Sequence, residues 1–168
     1  MNAAKLIHQD SGDVEYYTPA AIVNAARAVM GSIDLDPASS DAANATVRAD
    51  TYLCAYGLST PWRGNVWLNH PFGRKSNPLW ISKAVDSFFS GDVCQLTCIT
   101  FAATSEAWFA PLMRFPQCYL RPRTNYVMPD GKTKKGVSKG SVVTYMGANP
   151  ARFAEVFARH GNVMVPAL

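Results

Sequence analysis

The same punctuation frames three segments of this chain and restricts its fold more than any other feature. Thr18-Pro19 opens a helical pattern that closes at Gly31, Asn77-Pro78 opens one that closes at Gly91, and Asn149-Pro150 opens one that closes at Gly161. A side chain that can accept the first free N–H groups, a proline at the first helical position and a glycine after the last turn each mark a helix boundary for a separate physical reason. Apolar residues recur at helical spacing inside each frame. They are Ile22, Val23, Ala26, Val29 and Met30 in the first, Trp80, Ala84, Val85, Phe88 and Phe89 in the second, and Phe153, Val156 and Phe157 in the third, where Glu155 and Arg159 can pair on the outer face. A fourth helix is expected from near Thr104-Ser105 over Trp108 to Met113.

Between the frames lie short apolar runs expected to be strands: Ile33–Asp36, Val66–Asn69, Val93–Phe101, Cys118–Arg121, Ser141–Tyr145 and Val163–Val165. Strands alternating with helices of about a dozen residues predict an α/β fold with a mainly parallel sheet. Pro129-Asp130-Gly131 marks a turn. It predicts a late antiparallel hairpin whose tip carries the cationic stretch within Asp130–Gly140. The polar first 14 residues read as a mobile segment, and residues 15–168 as one domain.

Composition narrows the classes. Of 168 residues, 48% are apolar and 17% charged, which fits a folded globular chain rather than a disordered one. No run approaches 18 apolar residues and the start lacks a signal-peptide apolar block, so a cytoplasmic protein is expected. Cys54, Cys94, Cys98 and Cys118 are scattered, as in a reduced protein, and Cys94 and Cys98 fall at even spacing on one strand face, read as buried thiols. His8, His70 and His160 do not complete a zinc pattern with them, so no metal is expected. The net charge of +4 permits a polyanionic partner without demanding one.

The chemistry-bearing candidates sit at predicted strand ends, where ligands bind in open α/β sheets. Asn69-His70-Pro71-Phe72 follows the run Asn65–Leu68. An amide, a proline and an aromatic at such a place can hold a planar amino group, with the amide oxygen and a main-chain carbonyl accepting its two hydrogens and the ring stacking on its plane. The same residues also make an ordinary turn. Asp36-Pro37-Ala38-Ser39 ends the preceding strand with an acid and small residues that allow close backbone approach; a tight turn alone also explains it. Tyr16-Tyr17-Thr18-Pro19 is read first as a helix cap supplied by Thr18, with the free N–H groups of a helix start beside it.

Taken together, these residues resemble the phage-type DNA N6-adenine methyltransferases, the Dam-like family. The matching order is Tyr17-Thr18-Pro19, then Ile33-Asp34-Leu35-Asp36-Pro37-Ala38-Ser39-Ser40 with Ala43-Asn44 close behind. Tyr52, Gly57-Leu58 and Trp62-Arg63-Gly64 come next, followed by Val66-Trp67-Leu68-Asn69 and Pro71-Phe72-Gly73. The family's usual Asn-Pro-Pro-aromatic or Asp-Pro-Pro-aromatic motif stands here with His70 in place of the first proline, and the glycines that often follow Asp-Pro-Ala are absent.

The resemblance implies a compact Rossmann-like class I methyltransferase sheet and S-adenosylmethionine as cofactor. It implies a cofactor site lined by Tyr17, Thr18, Pro19, Asp36, Pro37, Ala38, Ser39 and Asn69, and a catalytic element made of Asn69, His70, Pro71 and Phe72. The substrate would be adenine in double-stranded DNA, flipped out of the stack to expose its amino group, and the host cell would be bacterial. His70 could contact base, cofactor or phosphate, take a proton, or point away.

Arg74, Arg121, Arg123, Asn125, Lys132, Lys134, Lys135 and Lys139 are the expected DNA contacts, with phosphate neutralisation giving salt-sensitive affinity. A solvated hairpin tip is the plainer reading of the lysines. RNA or a protein glutamine as methyl acceptor, and a catalytically inactive nucleic-acid-binding relative, remain alternatives.

Overall fold

A computed structural model describes residues 16–135 and 137–167. The expected mobile segment over residues 1–14 and the glycine at 136 lie outside the described residues. The helices are α1 (Ala20–Met30), α2 (Asp41–Val47), α3 (Ser76–Phe89) and α4 (Pro150–Phe157), with a 3-10 turn at Ala110–Arg114 where a fourth full helix was expected. The strands are β1 (Leu35–Asp36), β2 (Thr51–Tyr52), β3 (Gly64–Leu68), β4 (Val93–Phe101), β5 (Gln117–Leu120), β6 (Tyr126–Val127), β7 (Thr133–Lys134), β8 (Ser141–Met146) and β9 (Gly161–Met164).

Seven of the strands form one sheet in the order β2-β1-β3-β4-β8-β5-β9. β2, β1, β3 and β4 pair in parallel, whereas β8 is antiparallel to both β4 and β5, and β9 is antiparallel to β5. The expected α/β fold with a mostly parallel sheet is therefore present as a mixed sheet, parallel on one side and antiparallel on the other. The late hairpin is also present. Its strands β6 and β7 form a separate two-stranded sheet that the list of apolar runs had missed. They are only two residues long and half polar, so they carry no hydrophobic periodicity.

Alternation along the central strands builds two cores. Val66 and Leu68 of β3, with Leu96 and Cys98 of β4, pack on Trp80, Ile81 and Ala84 of α3. Trp67 and Ile99 face the opposite side, against Val23, Ala26 and Met30 of α1 and Phe153 and Phe157 of α4. The connection from β1 to β2 runs through α2 on the α1 side, and the one from β3 to β4 runs through α3 on the other. The chain thus leaves β1 for β2 on one side and resumes at β3 on the other. That reversal makes the carboxyl ends of β1 and β3 a topological switch point, the kind of place where open α/β sheets bind ligands.

At the opposite ends of these strands, the amino-terminal ends are fixed by polar contacts. Asn65 Nδ2 and Gln95 Nε2 both donate to the Met30 carbonyl at the end of α1, each at 3.1 Å. Asp34 accepts the Ser32 hydroxyl (2.7 Å) and the Asn65 N–H (2.8 Å). Gly64, at φ +73°, leaves room for that carboxylate; a Cβ there would overlap Asp34 Oδ2.

Several boundaries differ from the sequence reading. α1 does end at Gly31, at φ 89°, but its N-cap is Pro19 and Thr18 makes no capping bond. α3 begins at Ser76, before Asn77-Pro78, because the Asn77 N–H already closes a helical bond to the Gly73 carbonyl (2.9 Å). Asn149 caps α4 as expected, accepting the Arg152 N–H (3.1 Å), yet that helix stops at Phe157 and Gly161 opens β9 instead. Glu155 pairs with Arg152 (2.9 Å) rather than with Arg159. Cys98 and Cys118 are buried, but Cys94 is exposed, since the register shift between β3 and β4 leaves it unpaired with β3 between Val93, opposite Gly64, and Gln95, opposite Asn65.

Candidate active site at the carboxyl ends of the parallel strands

The residues singled out in the sequence fall on four segments that meet at one edge of the sheet. Asp36 ends β1, Asn69 follows β3, Phe101 ends β4, and the segment 16–19 crosses over them to reach the hairpin. Tyr17 and Val127 exchange backbone hydrogen bonds, at 2.8 and 2.9 Å, which fastens β6 to the body of the protein. The Tyr16 ring packs on Tyr126 (5.6 Å between centroids), and the Tyr17 hydroxyl lies 3.1 Å from Ser40 Oγ. Ser40 also caps α2 by accepting the Ala43 N–H (3.1 Å).

Asn69 is half-buried, and its Nδ2 donates to the Tyr16 carbonyl at 2.7 Å. That bond sets the amide orientation. The opposite atom, Oδ1, accepts no hydrogen bond among the described residues, and neither does the His70 main-chain carbonyl beside it.

His70 points inward. It is 2% exposed, stacked on Trp80 (6.2 Å, 26°) and set edge-on to Phe72 (5.5 Å, 83°). Its Nε2 meets Asn77 Oδ1 at 2.9 Å, while Nδ1 is buried without a partner. Burial pulls its pKa down to about 4, only partly offset by the Asn77 contact. A ring buried to this degree does not reach a phosphate and is a poor proton acceptor at neutral pH. Phe72 is half-buried and lies against Phe101 (4.6 Å) and Tyr126 (6.3 Å), with Pro71 half-buried between the two rings in sequence. The aromatic wall is thus built from the loop after β3, the end of β4 and the hairpin, not by Phe72 alone.

Asp36 is 2% exposed, and its Oδ1 accepts the Ala38 N–H (3.2 Å), the local turn that Asp-Pro predicts. Burial raises its pKa to about 7 against the weaker pull of the Ala38 and Ser39 hydrogen bonds. Pro37 is buried, with Ala38 and Ser39 half-buried beside it. Gly57 packs onto this turn so closely that a Cβ would overlap the Pro37 carbonyl oxygen and come within 2.7 Å of Trp80. Thr18 is 5% exposed, and its Oγ1 is buried without a partner. A carboxyl with no counter-charge among the described residues and an orphan hydroxyl suit a ligand that brings hydrogen-bond donors or a positive charge.

The expected DNA contacts separate into two groups. Lys139 Nζ lies 5.6 Å above the Phe101 ring and so borders the aromatic wall. Arg74 is exposed on the loop just after Phe72, and Arg123 Nη1 donates to the Val137 carbonyl (3.2 Å), tying the exit of β5 to the lysine segment. Lys134 and Lys135 are exposed on the hairpin's return strand and beyond it, whereas Lys132 faces Asp130 at 3.3 Å, so the tip is less cationic than its lysine count suggests. Arg121 and Asn125 are exposed.

Asn77, Trp80 and Phe101 border the candidate site and read in the sequence only as cap, stripe and strand. Among the described residues no cluster of His, Cys, Asp or Glu is placed to hold a metal ion, and no helix is long and apolar enough to cross a membrane. Compared with known proteins, the chain matches no family model, no curated protein and no solved structure.

Proposed function

We propose that this chain is an S-adenosylmethionine-dependent methyltransferase, with a Rossmann-like sheet, acting on the N6 amino group of adenine in double-stranded DNA. The observation that carries the reading is the pair of acceptors on adjacent residues, Asn69 Oδ1 and the His70 carbonyl. Both accept nothing from the described protein, and they stand at the carboxyl ends of parallel strands with the amide held by Tyr16. The lone pair of an adenine amine is delocalised into the ring. Two acceptors on its hydrogens favour a pyramidal nitrogen and release that pair toward a methyl group.

Phe72, backed by Phe101 and Tyr126, offers the flipped base an apolar face. The same two acceptors stabilise the positive charge that grows on nitrogen as the N–C bond forms, and holding the reactants in line supplies much of the rate. When bound, the cofactor supplies the methyl group from a sulfonium, whose sulfur keeps the bonding pair. Thr18 Oγ1 and Asp36 would hold it through its polar groups, with Pro37, Ala38 and Ser39 alongside. The surplus proton on the product nitrogen is acidic enough to leave to solvent. Lys134, Lys135 and Lys139 would meet phosphates.

Labelled cofactor offered in parallel with unmethylated DNA, RNA and protein tests the reading. Label in the adenines of DNA is expected. Label confined to RNA or protein would move the activity to another planar amine, and binding of nucleic acid without cofactor binding would leave a non-catalytic relative.

A further inference from the structure

Asn77 sits in the first turn of α3, and its side chain turns away from the helix to the loop before it. Its Oδ1 accepts the Gly73 N–H at 3.3 Å and lies 2.9 Å from His70 Nε2. An oxygen already accepting from Gly73 faces the imidazole as an acceptor too, so Nε2 carries the ring proton and Nδ1 is bare. Next to it, Ser76 Oγ donates to the Pro71 carbonyl (2.8 Å) and approaches the Gly73 carbonyl (3.3 Å). Trp80, one turn further along α3, stacks on the gripped ring. His70, Pro71 and Gly73 are thereby all tied to the start of one helix, while the His70 carbonyl stays open.

We infer that Asn77 is a positioning residue: by gripping the His70 ring from α3 it sets where the His70 carbonyl and the neighbouring Asn69 amide point. The inference rests on the amine-methylation reading. It explains how position 70 does without a proline, because a ring held at both its polar edge and its face restrains the main chain as a fixed φ would.

A double-mutant cycle on the full chain tests it. Asn77→Leu should lower the transfer rate at saturating substrates by about 10- to 100-fold, the loss expected when acceptors drift by an ångström, and leave cofactor affinity within about twofold. Asn77→Asp keeps the acceptor and should retain most of the rate. In a His70→Pro background, where φ is locked, Asn77→Leu should change the rate by less than about threefold, a coupling that a merely stabilising Asn77 would not produce. Nitrogen NMR of the unmutated chain should show the Nε2–H tautomer at His70, a readout independent of activity. An active unmutated chain with an equally active Asn77→Leu, equal losses in both backgrounds, or an Nδ1–H tautomer would each overturn the inference. An inactive unmutated chain with the Nε2–H tautomer would instead overturn the methylation reading, and Asn77 would then have no reaction to position.

Discussion

Asn69 Nδ2 and the main-chain carbonyl of Tyr16 meet at 2.7 Å across 53 positions of sequence. The bond orients a side-chain oxygen that accepts nothing from the described residues, and Tyr16 is itself fixed to the hairpin through Tyr17 and Tyr126. Removing the side chain should therefore remove chemistry with little effect on the fold. Asn69→Ala is expected to reduce methyl transfer at least about 100-fold, in the range found when a single transition-state hydrogen-bonding group is lost, while calorimetry shows cofactor binding intact. Full activity in this variant would refute the assignment of Asn69.

Asp36 and His70 should give stability opposite dependences on pH. Asp36 has its pKa raised to about 7, so the folded state keeps its proton when the unfolded chain has lost it, and stability falls as pH rises from about 4 to about 7. His70 has its pKa lowered to about 4, so the unfolded chain takes up a proton that the folded state refuses, and stability falls as pH drops from about 6.5 to about 4. The two slopes offset each other over their shared range. Asp36→Asn, which keeps an acceptor for Ala38, should be more stable than the parent above pH 7 by on the order of 4 kcal/mol, with the gain gone near pH 3. Denaturant midpoints across pH measure this; a less stable Asp36→Asn at pH 8 would mean that the carboxylate has a stabilising partner.

Gly57 should be among the least replaceable glycines of the chain. In Gly57→Ala the new methyl overlaps the Pro37 carbonyl oxygen and presses on Trp80, which also stacks on His70. A loss of roughly 2–3 kcal/mol is expected from this overpacking, together with weakened cofactor binding as the Asp36-Pro37 turn shifts. Gly131→Ala is the control. It has open space around it and meets only the penalty of φ +78°, about 1 kcal/mol. Similar losses in thermal unfolding for both would contradict the packing argument.

The lysines should divide by position. Lys134→Ala and Lys135→Ala are each expected to reduce the slope of log affinity for DNA against log salt by about 0.9, and to leave the rate at saturation unchanged. Lys132→Ala should do less, since Lys132 already faces Asp130. Lys139→Ala should lower both affinity and saturated rate, because its ammonium lies over Phe101, whose ring touches Phe72. Filter binding over a salt series and single-turnover transfer separate these outcomes, and a Lys139→Ala variant with an unchanged rate would place that residue with the others.

The frames at Thr18-Pro19, Asn77-Pro78 and Asn149-Pro150 located three of the four helices to within a few residues, α2 having no such frame, and the apolar run Val93–Phe101 matched β4 at both ends. These were legible because helix starts and buried strands depend on local sterics and on the spacing of apolar residues. Thr18 as a cap, Asn77 as a cap and Gly161 as a stop failed for one shared reason. Each is a residue type with a strong local habit that is overridden by what it meets from elsewhere: β9 pairing with β5, the loop that Asn77 grips, and a buried place for the Thr18 hydroxyl.

The sequence alone determined that this chain alternates helix and strand, that Asp36 and Asn69 stand at strand ends, and that the cations gather late. Only the tertiary structure decided which way the polar atoms face. It turned His70 inward, tied Asn69 to Tyr16 and laid the hairpin against the segment that precedes α1. The reason is physical: secondary structure follows from the spacing of neighbours along the chain, whereas the direction of a side chain at a strand end is set by contacts that this spacing does not record, made by His70 with Asn77 and Trp80 of the next helix and by Asn69 with Tyr16 across 53 positions.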